Sequence, residues 1–196
     1  MAATYINEVF MKKYIICNGG VEYDNEGNIV PPNLANALKH SKIRNRKGEL
    51  LVCYHGTNAQ FEDFKDDFIS TSSGNFGWFG VGFYFTDSLK LAQSYGSIQR
   101  KCYLNITKPF VYSSKDNVYE LLLLGVEPRS YDGHLMPYAY MDDNKPVEVF
   151  TTAIKNAGYD GVKYSYRQAN YRPNVSGASN ASEFVCFNTN QIYFID

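Results

Sequence analysis

The pattern of apolar and polar positions predicts short strands and helices that alternate from residue 50 onward. Apolar runs at residues 50–54 and 82–86 are typical of buried strands, and residues 101–106 alternate as a strand that Pro109 ends. Three later runs, at residues 162–164, 183–187 and 191–195, also predict strands.

Helices are predicted between these strands at three places. Leu89, Ala92 and Tyr95 recur at helical intervals between Asp87, the predicted N-cap, and Gly96. Two further helices are predicted at residues 116–124 and 149–157. Because strands outnumber helices and no regular βαβ alternation occurs, the predicted fold class is α+β with mainly antiparallel pairing.

Residues 1–48 differ from the rest and are predicted to form an N-terminal arm. Paired glycines and prolines at residues 19–20 and 31–32 interrupt any long element, and a basic cluster lies between residues 39 and 47. This cluster is typical of a solvated face, and phosphate binding is the alternative. Residues 49–196 are predicted to form one domain.

Composition narrows the class of protein. The 196 residues include 17 Tyr and 13 Phe, and 19 basic residues against 20 acidic ones give a net charge of −1. These values exclude a disordered chain. They also exclude an overall positive charge that would attract nucleic acid, so any contact with a polyanion must be local. The four cysteines fit neither a zinc motif nor a dense disulfide framework. With no long apolar run, a soluble cytoplasmic protein without a membrane partner is expected, and delivery into another cell stays open.

Two segments beside the first strands carry candidate chemistry. His55 ends an apolar run and precedes Gly56, whose backbone can approach a ligand closely, but a structural histidine has the same pattern. The glycine-rich turn at residues 74–82, which includes Phe79 and Gly82, is either a hairpin connection or a lid over a ligand.

A carboxylate and two tyrosines complete the candidates. Glu183 begins an apolar strand, where it lies either at the solvent edge or in a cleft. Tyr84 lies within a predicted strand and Tyr95 about two turns into the next helix, near enough to flank one planar group. Taken alone, both tyrosines are more typical of core packing.

Four segments together resemble a known family. Residues 54–57 (Tyr-His-Gly-Thr), 80–87, 92–95 and 183–185 resemble the His-Tyr-Glu ADP-ribosyltransferases, the diphtheria-toxin-like class that includes the poly(ADP-ribose) polymerases. With the Gly-Tyr-Asp-Gly-Val segment at residues 158–162, they are most similar to the ADP-ribosyltransferase domains of phage and mobile-element polyvalent proteins. The resemblance covers residues 48–196 and leaves the arm unexplained.

The resemblance implies split antiparallel β-sheets around an NAD cleft, with flanking helices and NAD as co-substrate without a metal. His55 would bind the adenosine ribose, the Gly56 backbone the nicotinamide amide, and Tyr84 and Tyr95 the two faces of the nicotinamide ring. Glu183 would bind the nicotinamide ribose. The implied catalytic residues are Glu183, Tyr84 and His55, and the further NAD contacts are Thr57, Phe79 and Gly82.

The implied activity is mono-ADP-ribosyl transfer, in which NAD is cleaved at the nicotinamide–ribose bond. The transition state is an oxocarbenium-like ribose, whose positive charge a carboxylate such as Glu183 stabilises. Two alternatives stay open: an NAD glycohydrolase, in which water replaces the acceptor, and a catalytically silent module that binds NAD or ADP-ribose.

Two departures from the family pattern concern the donor and the acceptor. Ala92 occupies the place of a serine that binds the nicotinamide amide in many poly(ADP-ribose) polymerases, and Thr57 is the candidate replacement. Ala181 occupies the place of a second acid in arginine-specific relatives, which disfavours transfer to arginine.

The acceptor is predicted to be a protein or a nucleic acid. The segment before Glu183, residues 161–182, has no acidic residue and interleaves basic with aromatic residues. That pattern suits a nucleic-acid strand or an acidic protein surface, and a solvated loop is the alternative. The candidate acceptor residues are Tyr164, Tyr166, Arg167, Tyr171 and Arg172.

Overall fold

The computed structural model describes residues 20–69, 79–112, 118–126, 129–131, 134–136, 145–167 and 175–195. Within these ranges the chain forms nine strands and four α-helices. The strands are β1 Cys53–Thr57, β2 Phe83–Thr86, β3 Ile98–Leu104, β4 Pro109–Tyr112, β5 Arg129–Tyr131, β6 His134–Met136, β7 Gly161–Ser165, β8 Ser182–Cys186 and β9 Ile192–Phe194. The helices are α1 Pro32–Ala37, α2 Leu89–Tyr95, α3 Val118–Leu123 and α4 Lys145–Asn156. Single-turn 3₁₀ helices lie at Asp66–Phe68 and Thr189–Gln191.

Seven strands form one mixed sheet in the order β4-β7-β8-β2-β1-β3-β9, and β5 pairs separately with β6. Only the β4–β7 pair is parallel among the described strands. The join between β2 and β1 is narrow, because Tyr54 opposite Thr86 is the one register pair between them. The sheet therefore consists of two halves that meet at one point. The mainly antiparallel pairing, together with the four described α-helices, confirms the predicted α+β class.

Each face of the sheet is covered by its own apolar core. Opposed residues of paired strands share a face, so Val162 and Val185 point to the same side, where they pack with Phe110 from β4 and Phe150 from α4. Aromatic and cysteine side chains fill the other side: Cys53, Phe83, Phe85, Cys102, Phe184 and Cys186. The three described cysteines are buried in this core, each with no exposed surface.

The described part of the predicted arm, residues 20–48, packs against β1 and β3. Leu38 and Val30 are buried in a third apolar cluster together with Tyr54 and Tyr103. Asp24 is 1% exposed, and it accepts a hydrogen bond from the Tyr103 hydroxyl at 2.8 Å. The division of the chain at residue 48 stays a prediction.

Several element boundaries differ from the sequence prediction. β1 continues through Thr57 instead of ending at residue 54, because β3 pairs with it along its whole length. Pro109 begins β4 instead of only ending a strand. Ser88, not Asp87, caps α2, since its hydroxyl accepts from the Leu91 N–H, whereas the Asp87 carboxylate accepts from the Ser182 N–H at 2.7 Å.

Candidate active site

The opening between β1 and β2 defines the candidate site. Past the Tyr54–Thr86 pair, β1 remains paired with β3 through Gly56 and Thr57, while β2 remains paired with β8. The register therefore gives residues 55–57 no strand partner on the β2 side. Main-chain groups that face this opening can bind a ligand instead of another strand.

His55 bridges the opening. Its Nδ1 lies 2.8 Å from the main-chain oxygen of Tyr84, and because a carbonyl only accepts, Nδ1 carries the proton. The ring is half-buried among Phe64 and Phe85, at centroid distances of 5.1 and 5.5 Å. Burial lowers the pKa of His55, although the bond to Tyr84 opposes this shift. In the neutral ring Nε2 is an acceptor, which suits a ribose hydroxyl.

Gly56 must be glycine because helix α2 lies directly against it. A β-carbon at this position would lie 1.8 Å from the main-chain oxygen of Ala92 and 3.1 Å from Cβ of Tyr95. Gly96, at the end of α2, packs equally closely on the main chain of Thr57, with 2.2 Å from a hypothetical Cβ to its carbonyl carbon. These two contacts place α2, and with it Tyr95, over the end of β1.

Tyr84 is held by the turn that precedes β2. Its hydroxyl donates to the Gly80 carbonyl at 2.6 Å and accepts from the Phe79 N–H at 2.9 Å. The Phe79 ring is 3% exposed and stacks on Tyr164 at 4.1 Å, so at this residue the glycine-rich turn is part of the core. Gly82 allows β8 to approach, since a β-carbon there would lie 2.4 Å from the Cys186 carbonyl oxygen.

Glu183 is a buried carboxylate held by two tyrosine hydroxyls. It is 5% exposed, and it faces Thr86 on β2 and Tyr164 on β7. Tyr95 donates to Oε1 at 3.0 Å, and Tyr166 donates to Oε2 at 2.6 Å. The sequence left the solvent edge and a cleft open for Glu183, and the structure places it inside.

Burial disfavours the ionised form of Glu183, and hydrogen bonds partly offset this effect. Burial raises the pKa of Glu183, the hydrogen bonds from Tyr166 and Tyr95 oppose that shift, and the Asp87 carboxylate reinforces it. Burial and the adjacent Glu183 charge raise the pKa of Tyr166, so its hydroxyl remains protonated and available as a donor. An ionised carboxylate with two donors is suited to stabilising a nearby positive charge.

The three candidate acceptor residues that the structure describes do not form one exposed surface. Tyr164 is 1% exposed, because its position on β7 points it into the core, so the expectation that it stacks on an acceptor is wrong. Tyr166 is 7% exposed and bound to Glu183, and Arg167 is exposed. Tyr171 and Arg172 lie outside the described residues.

The contact between Tyr166 and Glu183 was not anticipated from the sequence. The sequence does hold a signal for this contact. Tyr164 lies on β7 and Tyr166 directly follows it, two residues further on, so both side chains lie on the same face of the sheet. The missing information was the register that sets Tyr164 opposite Glu183. Thr57, expected near the nicotinamide amide, accepts from the Ala59 N–H through Oγ1 at 3.1 Å.

The comparison with protein families identifies the class. The divided sheet and the α+β class agree with an ADP-ribosyltransferase fold. Residues 45–196 match the family described as ADP-ribosyltransferase in polyvalent proteins. Since this match spans most of the sequence, the chain belongs to that family. A comparison with curated proteins found no match.

Among the solved structures that are similar to this chain, two illustrate the low identity. A chain described as an anti-CRISPR protein is 14% identical, with a TM-score of 0.38, and the match covers 74% of this chain and 95% of that one. A chain of the M. tuberculosis MbcT–MbcA toxin–antitoxin complex is 12% identical, with a TM-score of 0.40 and coverage of 75% and 82%. At these values neither likeness carries an argument about function.

The described residues offer neither a candidate membrane-spanning helix nor a candidate metal-binding cluster. No described helix combines the length and apolar character needed to cross a membrane. No group of three His, Cys, Asp or Glu side chains in the described ranges is arranged to hold a metal ion.

Proposed function

We propose that this protein is a mono-ADP-ribosyltransferase that uses NAD and transfers ADP-ribose to a macromolecular acceptor. The observation that carries the proposal is Glu183, a buried carboxylate held by two tyrosine hydroxyls within a domain of the ADP-ribosyltransferase family. A buried, oriented carboxylate is the group that an oxocarbenium-like transition state requires.

The residues around the opening suit the parts of NAD. Neutral His55 offers Nε2 to a hydroxyl of the adenosine ribose, and the main chain of Gly56 offers amide contacts to the nicotinamide carboxamide. Tyr84 and Tyr95 supply ring faces for the cationic nicotinamide, at a benefit on the order of 1 kcal/mol per contact. Thr57, Phe79 and Gly82 are proposed to shape the same pocket.

The reaction breaks the bond between the ribose C1′ and the nicotinamide nitrogen. Nicotinamide leaves as a neutral base with the bonding electron pair, and C1′ forms a new bond to the acceptor nucleophile. The proton of the nucleophile passes to Glu183 or to solvent. Glu183 acts earlier by stabilising the positive ribose and by binding its hydroxyls.

Labelled NAD incubated with a cell lysate tests the proposal. The unmodified protein should label macromolecules, and Glu183→Gln should abolish labelling. Glu120→Gln is a matched control, because Glu120 also accepts a tyrosine hydroxyl bond of 2.6 Å, from Tyr159, outside the site. Equal labelling by the Glu183→Gln variant would refute the assignment.

The same experiment separates the acceptor classes. Loss of the label after nuclease treatment indicates a nucleic-acid acceptor, and loss after protease indicates a protein. Nicotinamide release without any labelling would indicate an NAD glycohydrolase instead. NAD binding without cleavage, over a range of acceptors, would indicate a silent binding module.

A further inference from the structure

The two oxygens of Glu183 have unequal surroundings. Oε2 accepts the shorter bond, 2.6 Å, from Tyr166, which is 7% exposed, whereas Oε1 accepts the 3.0 Å bond from Tyr95, which is 46% exposed. The Oε2 side is therefore closed by protein, and the Oε1 side is next to the solvent-accessible part of the site. A ligand that enters from solvent would therefore approach Glu183 on the Oε1 side.

Tyr166 is itself firmly placed. Its N–H donates to the Ala181 carbonyl at 3.1 Å, which ties its main chain to a residue two positions before Glu183. Its ring packs edge-on against Tyr164, at a centroid distance of 5.1 Å and an interplanar angle of 86°. A buried ring with a fixed main chain can hold its hydroxyl in one position.

We propose that Tyr166 is a positioning residue, which holds Glu183 through Oε2 so that Oε1 is directed to the ribose hydroxyls of NAD. This inference rests on the proposed function, and it gives Tyr166 a role different from acceptor binding. Tyr166 also belongs to the segment, residues 161–182, in which the acceptor residues were expected. Its side chain therefore links that segment to the carboxylate.

Several titratable groups surround Glu183 in the described part of the chain. Tyr95 approaches from α2, Tyr164 and Tyr166 from β7 and its extension, and Asp87 from the end of β2. Tyr95 and Tyr166 favour the ionised carboxylate by donating hydrogen bonds, and Asp87 disfavours it by its charge. Removal of the Tyr166 hydroxyl should therefore raise the pKa of Glu183 further.

Tyr166→Phe tests this role, because it keeps the packed ring and removes only the hydroxyl. We expect kcat for NAD cleavage to fall roughly tenfold or more, since a hydrogen bond to a charged group is lost, while KM for NAD changes much less. The acid limb of the kcat profile should move to higher pH. Tyr159→Phe, which removes the comparable bond to Glu120, should leave kcat and its pH profile unchanged.

A measurement without turnover keeps this proposal separate from the proposed function. In protein with ¹³C-labelled glutamate, the carboxyl carbon of Glu183, assigned with Glu183→Gln, should titrate at higher pH in Tyr166→Phe than in the unmodified chain. An unchanged titration, or a loss of kcat with no shift of the acid limb, would overturn the role of Tyr166. Absence of NAD cleavage by the unmodified protein at every pH would instead refute the proposed function.

Discussion

Gly56→Ala should damage both the stability and the site, because Gly56 is the point where β1 and α2 meet. The added methyl group would lie 1.8 Å from the Ala92 carbonyl oxygen, and real contacts of this kind are essentially never shorter than 3.0 Å. The obstructing atom belongs to the main chain, so no side-chain rotation can relieve the contact. The helix must move away from the strand.

The expected magnitude follows from two opposing terms. Overpacking a close contact costs about 1–3 kcal/mol, with the upper end expected for a main-chain obstruction. Replacing glycine also restricts the unfolded chain, which returns about 0.4–1 kcal/mol. The net loss in the free energy of unfolding should be about 2 kcal/mol. The shift of α2 would also break the 3.0 Å bond from Tyr95 to Glu183, so NAD cleavage should fall at least about tenfold.

Urea unfolding at neutral pH and an NAD cleavage assay measure the two effects. Gly20→Ala is the matched control, because Gly20 has no atom within 4 Å of a hypothetical β-carbon. It should change the free energy of unfolding by no more than about 0.5 kcal/mol. A Gly56→Ala chain as stable and as active as Gly20→Ala would refute the close packing of α2 on β1.

Three further predictions concern buried polar groups. The free energy of unfolding of Glu183→Gln should increase relative to that of the unmodified chain as pH rises through the raised pKa of Glu183, because ionisation is disfavoured only in the folded state. Urea unfolding at several pH values measures this difference. Tyr103→Phe should lower the free energy of unfolding by about 1–3 kcal/mol, because the buried Asp24 carboxylate loses a hydrogen bond. In a Cys17→Ser chain, the three buried thiols should react with a thiol reagent only as the chain unfolds.

Each of these predictions has a clear contrary result. Parallel pH dependence of unfolding for Glu183→Gln and the unmodified chain would show that the carboxyl is not perturbed by folding. Tyr23→Phe is the control for Tyr103→Phe, since Tyr23 is 46% exposed, and equal effects of the two would argue against the Asp24 bond. Thiol reaction at a rate that does not depend on denaturant would contradict the burial of the cysteines.

The candidate residues were predictable because their local patterns are strong. His55 and Gly56 follow an apolar run, Tyr84 lies in another, and Glu183 begins a third, so strand assignment and motif order required no tertiary information. The helix from Leu89 to Tyr95 was equally clear from its spacing and from Gly96. The α+β class followed from the same elements and is confirmed.

The roles of particular side chains were less predictable. Tyr164 and Tyr166 are residue types that could stack on an acceptor. Strand alternation and register instead place Tyr164 in the core and bring the Tyr166 hydroxyl to Glu183. Phe79 lies in a glycine-rich turn, yet it stacks on Tyr164. A residue type indicates which contacts are possible, and only the fold selects one of them.

The sequence by itself determined six of the nine described strands and three of the four described α-helices, because these depend on local periodicity. It also determined the family and the identity of the candidate carboxylate, because these depend on motifs. It did not predict β4, β5, β6 or α1. Only the tertiary structure decided that Glu183 is buried, that two tyrosines hold it and that the sheet opens beyond the Tyr54–Thr86 pair. The physical reason is that burial and hydrogen bonding arise between residues distant in sequence: Tyr95 and Glu183 are 88 positions apart. Strand register brings such residues together, and no local pattern encodes it.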